Sequence, residues 1–233
     1  MVDGVHPLDL VIFDCDGVLV ESEILANRCE FEALRECGCA LEQPEYVELA
    51  VGRKAYQIDA LLKERFGLEL PEGFWNGTAR RLDPLLHSEL EAVEGVDAAV
   101  RALDLDTCVA SSSSTARLRL ELGVTGLLPL FEGRIYSAEA VPHPKPAPDV
   151  YLYAAQAMGR VPRQCLVIED SLVGVQAGLA AGMQVLAFTG GRHITPAMRQ
   201  RLGQSGARAC FGRMAELPRL VAAYAFQPAS TRM

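Results

Sequence analysis

Two carboxylates one residue apart, Asp14 and Asp16, stand at the end of the apolar run Leu10-Val11-Ile12-Phe13 and are followed at once by Gly17. Charged groups placed at the end of such a run are costly unless a cation or a ring of donors compensates them. One carboxylate of such a pair can attack phosphorus and carry an aspartyl-phosphate, while the other protonates the leaving oxygen and later activates a water. Other apolar runs end the same way, with Ser111 after Thr107–Ala110 and Glu169-Asp170 after Cys165–Ile168. Lys145 lies in Pro144-Lys145-Pro146-Ala147-Pro148, where the flanking prolines leave its backbone little freedom. Carboxylate oxygens suit a hard cation such as magnesium, and a cation, an ammonium and a hydroxyl together suit a phosphoryl group. Each motif alone reads equally well as a turn, a helix cap or a solvated lysine. Their recurrence at successive run ends is what points to chemistry.

The elements that must bring these residues together follow from periodicity. Unbroken apolar runs bounded by turn signals read as strands buried on both faces, as in a parallel sheet. Strand patterns at Leu10–Phe13, Thr107–Ala110, Arg134–Ser137, Cys165–Ile168 and Gln184–Phe188 alternate with helical patterns at Val96–Leu103, Thr115–Leu122, Ala147–Met158 and Val173–Ala181. That alternation predicts an α/β fold with a doubly wound parallel sheet, a Rossmann-like core whose crevice lies beyond the carboxyl ends of the strands. Between the first and second strands the pattern is helical only, at Glu23–Gly38, Glu45–Val51, Tyr56–Phe66 and Gly73–Leu90. A small all-α domain over residues 18–91 is therefore expected, inserted in a core formed by residues 1–17 and 92–233.

Composition narrows the partners. The chain has 233 residues, half of them hydrophobic, and a net charge of −8. An acidic chain disfavours nucleic acid and anionic membrane, although a metal and a few cations can reverse the field inside one pocket. Seven cysteines (15, 29, 37, 39, 108, 165 and 210) contain no C-x-x-C pair, so reduced thiols in a cytoplasmic protein are expected. No apolar run approaches the roughly 18 residues that a membrane span requires, and no secretory leader pattern is read. A soluble monomer is predicted.

Four motifs together resemble the haloacid dehalogenase-like hydrolase superfamily, in particular its small-molecule phosphatases and β-phosphoglucomutases with a helical cap. They are Phe13-Asp14-Cys15-Asp16-Gly17-Val18-Leu19, Ala110-Ser111-Ser112, Lys145-Pro146-Ala147-Pro148-Asp149, and Ile168-Glu169-Asp170-Ser171 running on to Gly174, Gly178, Ala181, Gly182 and Met183. The resemblance implies that Asp14 is the nucleophile and Asp16 the general acid and base. It also implies that Ser111, Ser112 and Lys145 bind the phosphoryl group. A magnesium ion would be held by Asp14, Asp16 (through its carbonyl), Glu169 and Asp170. Residues 18 to about 91 would form the mobile cap that excludes water and selects the substrate.

Within that superfamily, Asp16 argues against haloacid dehalogenases and phosphonoacetaldehyde hydrolases, which resemble this chain but lack that carboxylate. Mutases usually carry a histidine about twelve residues after the nucleophile, where this chain has Ala26. Arg53 and Lys54 fall where relatives place a substrate-specificity loop, and either could pair with an anionic group on the substrate. The segment Ser88–Gly95 resembles that of phosphatases acting on phosphorylated sugar acids. The sequence therefore predicts a magnesium-dependent phosphatase of small phosphorylated metabolites, sugar or sugar-acid phosphates. A hexose-phosphate mutase and a non-catalytic phosphate-binding relative are the alternatives.

Overall fold

A computed structural model describes residues 7–50, 53 and 55–224 of the chain. The first strand, β1 (Leu10–Phe13), is buried along its whole length. Its side chains alternate between two cores: Val11 and Phe13 join one, Leu10 and Ile12 the other. Both faces of the sheet are therefore covered, which is why the strand reads as an unbroken apolar run.

Four helices follow β1: α1 (Ser22–Glu36), α2 (Gln43–Ala50), α3 (Ala55–Phe66) and α4 (Phe74–Glu89). Their outer ends share a small core of their own around Leu34, Tyr46, Ile58, Leu62 and Phe74. Their inner ends, through Leu25 and Cys29 of α1 and Leu82 and Leu86 of α4, pack into the main core. Two linkers lie side by side where this block meets the sheet. Val20 bridges Ala92, Glu21 N–H donates to the Glu91 carbonyl at 3.0 Å, and Val93 N–H donates to the Leu19 carbonyl at 2.9 Å.

The alternating part of the chain then runs α5 (Val96–Arg101), β2 (Asp106–Ser111), α6 (Thr115–Val124), α7 (Leu128–Phe131) and β3 (Ile135–Ser137). It continues through α8 (Asp149–Ala157), β4 (Cys165–Glu169), α9 (Leu172–Ala180) and β5 (Gln184–Phe188). The chain closes with α10 (Pro196–Gly203), β6 (Ala209–Phe211) and α11 (Leu217–Tyr224). The six strands are parallel, in the order β3-β2-β1-β4-β5-β6. This is the doubly wound sheet expected from the sequence, and its order reverses between β1 and β4, where such sheets bind ligands.

Two local differences from the sequence reading have plain causes. The helix expected over Thr115–Leu122 continues through Gly123 to Val124, and the left-handed turn falls at Gly126 with φ of 75°. Burial of Glu121 and Leu122, with the Thr125 hydroxyl bonded to the Glu121 carbonyl at 2.7 Å, carries the helix past the earlier glycine. The final α10-β6-α11 unit was not read, because β6 is only three residues long and is half exposed.

Candidate active site

Strand register builds the site. Phe13 is level with Ile168 on one neighbour and Val109 on the other, so Asp14 emerges between the ends of β2 and β4. Its backbone N–H continues the ladder, donating to the Ile168 carbonyl at 3.0 Å. Asp14, Ser111, Lys145, Glu169 and Asp170 are all buried polar side chains at this one edge.

Lys145 is the hub. Its Nζ lies 2.9 Å from Asp14 Oδ1 and 2.8 Å from Glu169 Oε1, and it rests on the ring of Tyr151 at 4.6 Å. Tyr151 also donates its hydroxyl to Glu169 Oε1 at 2.8 Å. The other Glu169 oxygen accepts from the Asp170 and Ser171 amides, each at 3.0 Å, and from the Ser171 hydroxyl at 2.9 Å. This packing needs a glycine in the first turn of α9. A Cβ at Gly174 would stand 1.6 Å from Glu169 Oε1.

Asp16 turns the other way. Its Oδ1 accepts from Ser22 Oγ at 2.6 Å and Arg117 Nη2 at 3.2 Å, and its Oδ2 from Ser113 Oγ at 2.7 Å and Ser111 Oγ at 3.5 Å. Arg117 is itself held by buried Glu121, Nε to Oε1 at 2.7 Å. The Asp16 carboxylate thus stands beside the site with four donors.

Burial pushes the Asp14 carboxyl well up, against the pull of Lys145 and with help from Glu169, Asp170 and Asp16. Asp170 is also raised by burial, opposed by His193. Burial acts in the same direction on Glu169, but Lys145, Tyr151 and the Ser171 amide outweigh it and hold that carboxyl low. Lys145 is held well up because Asp14 and Glu169 outweigh its own desolvation.

The donor set fits a hard divalent cation. Asp14, Glu169 and Asp170 each offer an oxygen within 4.8 Å of the others, all three are buried, and the ammonium among them offsets only part of their charge. The Asp16 carboxylate is outside that cluster, so any part it takes would be through its main chain.

A cavity of about 490 Å³ opens from this cluster toward the helical block. Ser112 is exposed on its rim. The far wall carries Glu23, Asn27 and Glu30 of α1, one helical face, together with Arg53. Arg53 donates to the Leu49 carbonyl and, at 3.3 Å, to that of Glu48. Burial, with the Asp16 charge second, lifts the Glu23 carboxyl to about 7. Lys54 lies outside the described residues.

Several site residues were not read from the sequence. Ser113 and Arg117 follow Ser111 closely, and the pattern of a strand end running into a helix start could have included them. Tyr151 looks like any core aromatic of an amphipathic helix. His193 was the most accessible omission, since it follows Thr189-Gly190-Gly191 at the end of β5.

Known proteins agree with this architecture. The model of the haloacid dehalogenase-like hydrolase family matches residues 8–182. The 6-phosphogluconate phosphatase of Escherichia coli is 29% identical over 214 residues, covering 91% of this chain and 94% of the relative. Hexitol phosphatase A of the same organism is 32% identical over 182 residues, covering 76% of this chain and 81% of the relative. A haloacid dehalogenase-like protein of Agrobacterium tumefaciens superposes with a TM-score of 0.89 at 36% identity, covering 94% of this chain and 99% of the other. A hydrolase of this family from Deinococcus radiodurans, solved with bound phosphate and sodium, gives 0.80 at 34% identity over 96% of this chain and 99% of the other. No helix among the described residues is long and apolar enough to cross a membrane. Sheet order, strand-end residues and family match coincide, and the chain belongs to the haloacid dehalogenase-like hydrolases.

Proposed function

We propose that this enzyme is a magnesium-dependent phosphatase of small phosphorylated metabolites, of the sugar- or sugar-acid-phosphate class, working through an aspartyl-phosphate on Asp14. The observation that carries the reading is the position of Asp14: buried at the sheet's switch point, 2.9 Å from Lys145, beside Glu169 and Asp170. The phosphatase relatives and the phosphate bound in the Deinococcus protein support it.

Asp14 and Asp170, with Glu169 beside them and the Asp16 carbonyl, would hold the magnesium ion. When bound, that ion supplies positive charge against the phosphoryl oxygens and favours the ionised form of Asp14. Lys145 and Ser111, with Ser112 at the rim, bind the phosphoryl group and hold it in line with the Asp14 carboxylate. An Asp14 oxygen attacks phosphorus as the ester P–O bond breaks, and Asp16 gives its proton to the departing oxygen. Asp16 then takes a proton from water, whose oxygen displaces Asp14 and releases phosphate. Residues 18–91 act as the cap over a core of residues 1–17 and 92–233, closing to exclude water, with Arg53 and Lys54 reading the leaving group.

The test is a panel of hexitol, hexose and sugar-acid phosphates assayed for free phosphate with and without Mg2+. Magnesium-dependent release from members of that panel is expected. Glucose 6-phosphate formed from β-glucose 1-phosphate and a bisphosphate primer, faster than free phosphate, would make the enzyme a mutase instead.

A further inference from the structure

The loop after β5 reaches the cluster of carboxylates at Asp170. His193, on this loop, is buried, and its Nε2 lies 2.9 Å from Asp170 Oδ2. Its ring is fitted between two glycines. A Cβ on Gly17 would stand 2.7 Å from His193 Cε1, and one on Gly191 would stand 2.8 Å from Cε1 and 2.9 Å from Nδ1. No side chain other than hydrogen at either position leaves room for the ring. The loop is also anchored. Neighbouring Arg192 donates its backbone N–H to Glu21 Oε2 at 3.0 Å and a guanidinium nitrogen to Glu91 Oε2 at 2.5 Å, gripping both linkers to the helical block.

We infer that His193 is a positioning residue: it fixes the Asp170 carboxylate in the orientation that binds the catalytic cation. This inference rests on the proposed cation site. Asp170 is a buried carboxylate with two carboxylate neighbours, and repulsion alone would turn it away from them. An imidazole N–H bonded to one oxygen restrains that rotation and leaves the second oxygen for the cation. The Nδ1 atom is buried without a partner among the described residues, so the Nε2 contact with Asp170 is what orients the ring. Outer partners of this kind typically change metal affinity by about 10–100-fold when removed.

The test is calorimetric titration of Mg2+ into the full chain, stripped beforehand with a chelator, for wild type, His193→Ala, His193→Gln, Gly191→Ala and Asp170→Asn. His193→Ala is expected to weaken the Mg2+ Kd by about 10–100-fold, and the magnesium concentration for half-maximal activity should shift in parallel. His193→Gln, whose amide can donate to the same oxygen, recovers most of the loss. Gly191→Ala, which places a methyl group against the ring, weakens binding in the same direction and serves if the alanine variant does not fold. Binding by His193→Ala within twofold of wild type overturns the inference, as does a glutamine variant no better than alanine. Failure of wild type to bind Mg2+, or an Asp170→Asn Kd equal to wild type, removes the cation site itself. That result is distinguishable from a fault confined to His193.

Discussion

The two ends of the cavity are built on different physical terms. At the sheet end, Asp14, Lys145 and Glu169 are nearly sealed from solvent, with side-chain exposures of 11%, 6% and 0%, and Lys145 is held by ion pairs to residues at the ends of two neighbouring strands. At the helical end, Glu23, Asn27, Glu30 and Arg53 line the wall, and among the described residues Glu30 accepts one side-chain hydrogen bond, from the Tyr46 hydroxyl at 2.5 Å. A rigid, desolvated end suits a reaction that demands fixed charges. An end made of one helix face and a loop can vary without disturbing that chemistry. On the proposed function, reaction and selection are therefore separable here, and variants at the two ends should show it.

The largest effects belong to the sheet end. Lys145→Ala leaves the buried Asp14 and Glu169 charges unpaired, so activity should fall by about 10²–10³-fold or more. Its folding stability should drop by roughly 3–5 kcal/mol, read by urea denaturation. Asp16→Ala should lower kcat on a sugar phosphate by about 10²–10⁴-fold. The loss should be visibly smaller on p-nitrophenyl phosphate, whose leaving group needs less protonation. Equal losses on the two substrates would remove Asp16 from the acid role.

Behind the sheet end, buried Glu121 supports Arg117 and through it Asp16. Burial first, and the Asp16 charge second, lift its carboxyl from 4.5 to about 7. The folded state therefore holds this proton more tightly than the unfolded chain. That contribution is complete below about pH 4.5 and is lost as pH rises toward 7. At ~1.4 kcal/mol per pH unit the change is on the order of 3 kcal/mol. Thermal unfolding of wild type should weaken across that window relative to Glu121→Gln; parallel curves would place Glu121 in the ordinary carboxylate range.

The smallest effects belong to the helical end. Arg53→Ala should change the kcat/KM ratio between a sugar-acid phosphate and a neutral sugar phosphate by about tenfold, a change of roughly 1.4 kcal/mol. Its stability should move by less than about 0.5 kcal/mol. A uniform loss on all substrates would mean that Arg53 serves the chemistry rather than the choice.

What could be read from the sequence follows the same division. Asp14, Ser111, Glu169 and Asp170 were legible because each directly ends or follows an apolar strand, and parallel register brings such ends together. Lys145 was legible through its prolines. The remaining contacts depend on how helices and loops dock. Arg117 reaches Asp16 from a turn of α6, Tyr151 supports Lys145 from α8, and His193 arrives on a loop anchored by Arg192. Nothing in local periodicity marks such residues, because partners distant in sequence set their positions. The last part of the chain was missed for a related reason: β6 is paired and half covered by neighbours rather than defined by a long apolar run.

The central claim is that Asp14 is the nucleophile of a magnesium-dependent phosphoryl transfer. Its most direct test is steady-state turnover of p-nitrophenyl phosphate with saturating Mg2+ by wild type and Asp14→Asn, both checked for folding by thermal denaturation. The account predicts a folded variant whose turnover is reduced by about 10⁴-fold or more, as expected when a covalent nucleophile is removed. Turnover near that of wild type would contradict it.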